Sequence, residues 1–147
     1  MMVFRLIAQH LEENEEFRRN PDCDSSLQMT IDFYKRVGFV KPWVSYYAEV
    51  DGKLVGCAAY KGRPVNGKVE IAYGTFPAVQ RQGIGAEICR QLVNLSLRTD
   101  PAVVITARTL PEENYSTRIL RKNGFHCLGS VNDPEDGEVW EWRWKGR

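Results

Sequence analysis

The order of predicted elements places this chain in the α/β class with a mixed sheet. Three observations carry that assignment. Val44 to Val50 and Lys53 to Tyr60 are β-rich runs separated only by Asp51 and Gly52, the two-residue signature of a tight hairpin. Lys68 to Phe76 reads as a strand that passes through a short loop into a helix from about Gly85 to Arg98. Val103 to Ala107 is a short apolar run of buried-strand type, followed by a helical segment. At 147 residues the chain is expected to form a single domain, 1–147, with a core that needs neither disulfide nor metal.

Taken in order, Val3 to Ile7 reads as a first strand, and a charged segment follows it to Asn20 and stops at Pro21. Glu12, Glu13, Glu15 and Glu16 there read as one solvated helix face. Ser25 and Gln28 have capping-box spacing ahead of Leu27, Ile31 and Tyr34, which share one helical face, and Gly38 ends that helix. After the hairpin, a polar loop containing Gly62, Pro64 and Gly67 leads into the strand from Lys68 to Phe76. The helix after the glycines carries Ile84, Ile88, Leu92 and Leu95 on one face and closes at Asp100 and Pro101. Thr109 to Asn123 opens with proline and two glutamates, as a helix N-terminus does, and Gly124 caps its end. Two final strands, around His126 to Val131 and Glu138 to Lys145, flank a loop with Pro134 and Gly137. On the last strand Trp140, Trp142 and Trp144 alternate with Glu141 and Arg143, so the indoles share one face. That row packs under a helix; the alternatives are an acceptor-site wall or a homodimer seam.

Composition excludes several classes of partner. Twenty basic and nineteen acidic residues leave a formal net charge of +1, which offers no electrostatic footprint for nucleic acid or an anionic membrane. No apolar run approaches membrane-spanning length and no secretory leader is legible, so a cytoplasmic location is expected. Cys23, Cys57, Cys89 and Cys127 are isolated, with only His10 and His126 as co-ligands, so no metal is expected and the cysteines read as small buried hydrophobes.

The chemistry is concentrated in Glu70 to Leu97. A helix start leaves backbone N–H groups without intrahelical partners and a partial positive charge, which an anion satisfies. Gly83 and Gly85 remove the Cβ atoms that would hold a diphosphate away, and Gln80, Arg81 and Gln82 lead into the turn. A P-loop is excluded because Ala86 and Glu87 follow Gly85 where Lys and Ser or Thr are needed. A dinucleotide fingerprint is excluded by Ile88 at the third glycine position. The remaining alternative is an ordinary strand-to-helix turn that uses glycine for close packing.

The pattern Q-x-x-G-x-G formed by Gln80, Gly83 and Gly85, after a strand and Pro77, resembles the acyl-CoA pyrophosphate loop of the GNAT acetyltransferases. Downstream, Thr109, Pro111, Glu112, Asn114, Ser116, Lys122, Gly124 and Phe125 resemble the strand-and-helix block that follows this loop in the RimJ/RimL branch, which the Glu70 to Tyr73 stretch also fits. The segment up to Val40 carries little of the likeness. The resemblance implies a mixed, mostly antiparallel sheet of about six to seven strands flanked by about four helices. It also implies acetyl-CoA as donor and direct attack by a primary amine of a small molecule or a protein N-terminus.

By the same resemblance, the N–H groups of Arg81, Gln82, Gly83, Ile84, Gly85 and Ala86 hold the diphosphate, and Thr75 and Phe76 pair with the pantetheine arm. Backbone N–H groups at the splay of the sheet stabilise the oxyanion. Asn114 and Ser116 resemble contacts to the cofactor arm, although the usual Asn stands three residues before the Ser rather than two; the alternative for Asn114 is helix capping. Glu70 is the candidate base, against the alternative of a strand-edge glutamate paired with Lys or Arg. The usual tyrosine acid is replaced by Leu120, which leaves Tyr115 as the acid candidate, or no acid at all, since an alkyl thiol leaves readily. A homodimer stays open. The reading from another class is a CoA-binding sensor or partner-binding protein that has lost turnover.

Overall fold

The computed structural model describes residues 1–146. Seven strands form one sheet: β1 (Met2–Leu6), β2 (Ser45–Val50), β3 (Lys53–Tyr60), β4 (Lys68–Thr75), β5 (Val104–Thr109), β6 (Phe125–Asp133) and β7 (Gly137–Trp144). Their order across the sheet is β1-β2-β3-β4-β5-β7-β6. Helices α1 (Glu15–Arg18), α2 (Asp24–Val37), α3 (Ile84–Thr99) and α4 (Tyr115–Lys122) flank it. Only β4 and β5 pair in parallel, so the sheet is mixed and mostly antiparallel, as the sequence predicts.

The β2–β3 hairpin forms because Asp51 and Gly52 both take positive φ, 52° and 80°, matching the right-handed twist of the strands they join. The N-terminal segment departs from expectation. Its glutamates are exposed, but Asn14 divides them between a 3₁₀ turn at Leu11–Glu13 and α1. Buried Asn14 accepts from Ala8 N at 2.8 Å and donates to His10 O at 2.9 Å, fixing the exit of β1. The capping box at Ser25 and Gln28 does not form, because Asn20 caps a 3₁₀ turn at Pro21–Cys23 that runs directly into α2 and leaves Ser25 inside the helix. Helix α4 likewise begins later than Pro111 and the glutamates suggest, at the Asn114 cap.

The two sheet faces are covered by different helices. On one, Tyr47 meets Phe17 of α1 at 4.8 Å between ring centroids and Ser26 Oγ of α2 at 2.7 Å. On the other, Tyr60 donates to Leu92 O of α3 at 2.8 Å. The buried stripe of α3 is Gly85, Ile88, Cys89, Leu92, Val93 and Ser96, rotated from the predicted one so that Ile84 and Leu95 sit at its margin. Trp142 is fully buried, with Trp140 and Trp144 packed against the same core, so the tryptophan row is interior. Cys23 and Cys89 are buried as predicted; Cys57 is partly exposed and Cys127 is exposed, because its stretch of β6 lies at the sheet margin. Burial pushes the Cys57 thiol up to about 11, so it stays protonated at neutral pH.

β4 and β5 pair only at Lys68↔Val104, Val69↔Ile105 and Glu70↔Thr106. Beyond that rung β4 remains with β3 as far as Thr75, while β5 is held by β7 from Thr106 to Thr109, and the two strands part.

Candidate active site

The strand-to-helix elbow lies at the open end of this gap. Arg81 and Gly83 take positive φ, 66° and 76°, and Gly83 is the N-cap of α3 with no side-chain cap. The first-turn N–H groups of a sixteen-residue helix are therefore left to a ligand or solvent. A Cβ on Gly85 would stand 2.8 Å from Ile119 Cδ1 and 3.3 Å from Thr75 Oγ1, so glycine here lets α3 close against both β4 and α4. Together these elements bound a groove of about 400 Å³ lined by Thr75, Arg81, Gly85, Tyr115, Ser116 and Arg118, among others.

The wall formed by β4 has a fixed alternation of backbone groups. Phe76 N donates to Val55 O at 2.9 Å and Phe76 O accepts from Val79 N at 3.0 Å, so its backbone is committed to β3 and to the following turn. Lys61 N donates to Glu70 O, which sets the alternation: even-numbered residues of β4 address β3, and Tyr73 and Thr75 address the gap. Thr75 and Tyr73 therefore turn their backbone groups to the gap, and Phe76 does not. Tyr73 was not singled out from sequence, where it reads as an ordinary apolar strand position. Its Oη is buried beside the Cys89 thiol, and burial raises its pKa well above the tyrosine range.

The gap itself is a narrow cavity of about 90 Å³ between Ala72, Tyr73, Arg108, Thr109, Ser116 and Leu120. It shares Tyr73 and Ser116 with the groove, and Arg108 with a basin of about 320 Å³ on the α2 side of the sheet. Glu70 lies in that basin at the last paired rung, on an interior strand, with Lys61 Nζ at 3.4 Å and Arg108 Nε at 3.9 Å. Arg108 also donates to Asp133 Oδ2 at 2.9 Å and Glu141 Oε2 at 3.2 Å. Sequence reasoning missed Arg108; the alternation of Ile105 and Ala107 with Thr106 and Arg108 on β5 was the signal that puts it on the face of Glu70.

Asp133 anchors this network. The Glu135 N–H, the Arg108 guanidinium and the Asp136 N–H hold its pKa down to about 2, below the ordinary value of 3.8. A lowered folded-state pKa contributes stability that is fully present above the unfolded value and is lost as pH falls through the folded one. Asp133→Asn is therefore expected to lower the melting temperature at neutral pH and to flatten the loss of stability between about pH 4 and pH 2. Thermal melts of both proteins across that range check it; parallel pH profiles would refute it.

Helix α4 supplies the opposite wall of the groove. Asn114 is its cap: Oδ1 accepts from Thr117 N at 3.0 Å and Asn114 N donates to Thr117 Oγ1 at 3.0 Å. Tyr115 stands half-exposed at the groove mouth, with the Arg118 guanidinium 5.9 Å from its ring centroid. Leu120 is buried in the core at the floor of the gap. Arg121 is committed to Glu113 and stacks on Trp142 at 5.0 Å, so of the α4 cations Arg118 is the one that lines the groove. Among the described residues no group of His, Cys, Asp and Glu is arranged to hold a metal ion, and no helix is long and apolar enough to cross a membrane.

Comparison with known proteins bears on this geometry. The model of the Acetyltransferase (GNAT) domain matches residues 4–126. No curated protein matches the chain by sequence. Among solved structures, the chain is similar to AAC(6')-Ib in complex with ribostamycin and coenzyme A, at 24% identity and a TM-score of 0.61, covering 69% of this chain and 63% of that one. It is also similar to the apo form of RimL, a ribosomal alpha-N-protein acetyltransferase, at 16% identity and a TM-score of 0.69 over 97% of this chain and 91% of that one. A chimera of spermidine N-acetyltransferase SpeG from Vibrio cholerae and hSSAT matches at 12% identity and a TM-score of 0.71, covering 97% and 94%. At these identities the likeness establishes the fold.

Proposed function

Because this chain belongs to the GNAT acetyltransferase family, we propose that it is an acetyl-CoA-dependent N-acetyltransferase acting on a primary amine of a small molecule or a protein N-terminus. The observation that carries the reading is the uncapped start of α3, opening with Gly83 and Gly85 onto a groove that continues through the parted strands to Glu70. By name, AAC(6')-Ib is an aminoglycoside acetyltransferase, RimL a ribosomal alpha-N-protein acetyltransferase and SpeG a spermidine N-acetyltransferase, and the first is seen with coenzyme A beside ribostamycin.

Acetyl-CoA, when bound, supplies a thioester whose carbonyl carbon takes the amine and whose thiol departs. The N–H groups of Ile84, Gly85 and Ala86, which the first turn of α3 leaves unsatisfied, together with those of Arg81, Gln82 and Gly83 in the loop before it, would hold the diphosphate. Thr75 and Tyr73 offer the unpaired edge of β4 to the amide-bearing arm, and Ser116 with Arg118 faces it from α4. Asn114 acts by fixing where α4 begins. The same free edge of β4 provides N–H groups for an oxyanion at the gap. Glu70, across the gap, takes the proton that the amine must lose, and Lys61 and Arg108 keep its carboxylate in place. Tyr115, at the groove mouth, would return a proton to the departing thiolate.

Calorimetric titration with acetyl-CoA, followed by thiol release over a panel of amines, tests the proposal. Glu70→Gln is expected to lower kcat about 100-fold for an alkylamine acceptor, and less for an α-amine of lower pKa, with acetyl-CoA affinity unchanged. An unchanged kcat would remove Glu70 from the mechanism. The sensor reading rests on Leu120 occupying the usual acid position, and binding without transfer to any amine would select it.

A further inference from the structure

The basin around Glu70 has an uneven allocation of charge. Its carboxylates are all engaged: Glu70 by Lys61 and Arg108, Glu141 by Arg108, and Asp133, just behind, by Arg108 and two backbone N–H groups. Two of its cations are not: among the described residues Arg63 and Lys68 line the basin and make neither an ion pair nor a side-chain hydrogen bond. A polycationic acceptor needs free carboxylates for its remaining amines, and this basin offers none. A negative group, by contrast, finds two uncommitted cations at the rim.

The spacing sets a length. Lys68 and Glu70 lie two residues apart on one strand, so their side chains leave the same face about 6–7 Å apart. That is also the distance from the α-amine of an extended chain to its second or third residue. An amine placed at Glu70 therefore carries its anionic group to Lys68 and Arg63 when the two are joined by a link of that length.

We infer that the acceptor is an anionic amine, one that bears a carboxylate within about two residues' length of the nitrogen, seated with its charge on Arg63 and Lys68. The inference rests on the acetyl-transfer reading only in placing the amine at Glu70. Two sources share this chemistry, a peptide whose N-terminus is followed by acidic residues and a free acidic amino acid.

Fluorescence anisotropy on the full chain, with and without coenzyme A, separates the possibilities. The probes are a short peptide opening Ser-Asp-Glu, labelled at its far end, and the same peptide with lysine at both acidic positions; free glutamate and spermidine serve as competitors. The acidic peptide is expected to bind at least about tenfold more tightly than the lysine peptide, with spermidine failing to compete. The double variant Arg63→Glu, Lys68→Glu is expected to reverse that order while leaving acetyl-CoA affinity unchanged by calorimetry. Displacement by glutamate at comparable concentration assigns the site to the free acid, and resistance to it assigns the site to a peptide. Equal binding of the two peptides, no binding of either, or an unaltered order in the variant overturns the inference. Selective binding without thiol release would leave it standing and sink the enzymatic reading instead.

Discussion

A Gly83→Glu, Gly85→Glu double variant is expected to bind acetyl-CoA at least about 100-fold more weakly than the wild type, roughly 2.8 kcal/mol, while still folding. The two substitutions act through different physics. Nothing lies within 4 Å of a Cβ built on Gly83, so Glu there adds a carboxylate that competes with the diphosphate for the same N–H groups and the same dipole. It also pays about 1–2 kcal/mol for a left-handed φ of 76°. Glu at position 85 instead fills the groove, since its Cβ alone meets Ile119 and Thr75. Gly83→Ala carries the backbone cost without the charge, and is expected to lose less than about tenfold. Calorimetric titration of the three variants reads the difference, and affinity within threefold of wild type in the double variant would return the elbow to ordinary helix–strand packing.

The second large effect is on stability. Trp142→Ala is expected to cost roughly 3–5 kcal/mol, a melting-temperature loss on the order of 10–20 °C for a chain of this size. Trp142 is completely buried, donates from Nε1 to Thr109 Oγ1 at 2.9 Å, stacks under Arg121 and lies 6.5 Å from the Trp140 ring. Removing it leaves a cavity beneath α4 and takes away the donor to Thr109 Oγ1 at the end of β5. Because α4 is one wall of the groove, acetyl-CoA affinity is expected to fall together with stability. Trp142→Phe retains most of the volume and is expected to recover much of both. A melting temperature within a few degrees of wild type for the alanine variant would contradict the packing argument.

These outcomes depend on features of unequal visibility in the sequence. The hairpin was legible because Asp51 and Gly52 leave the chain few backbone conformations there, and the strand-to-helix elbow because glycines at two fixed offsets are a local requirement. Local rules failed where a neighbouring element competed. Ser25 and Gln28 have the spacing of a cap, yet Asn20 starts the turn earlier and carries the helix past them. The margin of α3 shifted because glycine, cysteine and serine pack inward where larger apolar residues were expected. Phe76 could not be excluded from the gap edge by pattern, since its N–H is taken by Val55, twenty-one positions earlier, through strand register alone. The ion-pair network at Glu70 is of the same kind: Lys61, Arg108, Asp133 and Glu141 come from four different stretches of chain.

The parting of β4 from β5 has a mechanical consequence. Among the described residues, three rungs of parallel pairing join the four-stranded half of the sheet to the three-stranded half, reinforced there by Thr106 Oγ1 donating to Val69 O at 3.2 Å and by the Arg108–Glu70 ion pair at 3.9 Å; α3 against α4 on one face and the Arg36–Glu135 ion pair at 3.2 Å, from α2 to the β6–β7 turn, are further ties. The seam beside the candidate site is thus also the line along which the sheet has the fewest paired residues. A molecule that lies in the opening and pairs with β4 replaces the rungs that β5 gives up, and behaves thermodynamically as a missing strand. At a hundredfold excess over its dissociation constant, such a ligand reinforces the fold by about 2.7 kcal/mol, comparable to closing a covalent cross-link between the two halves.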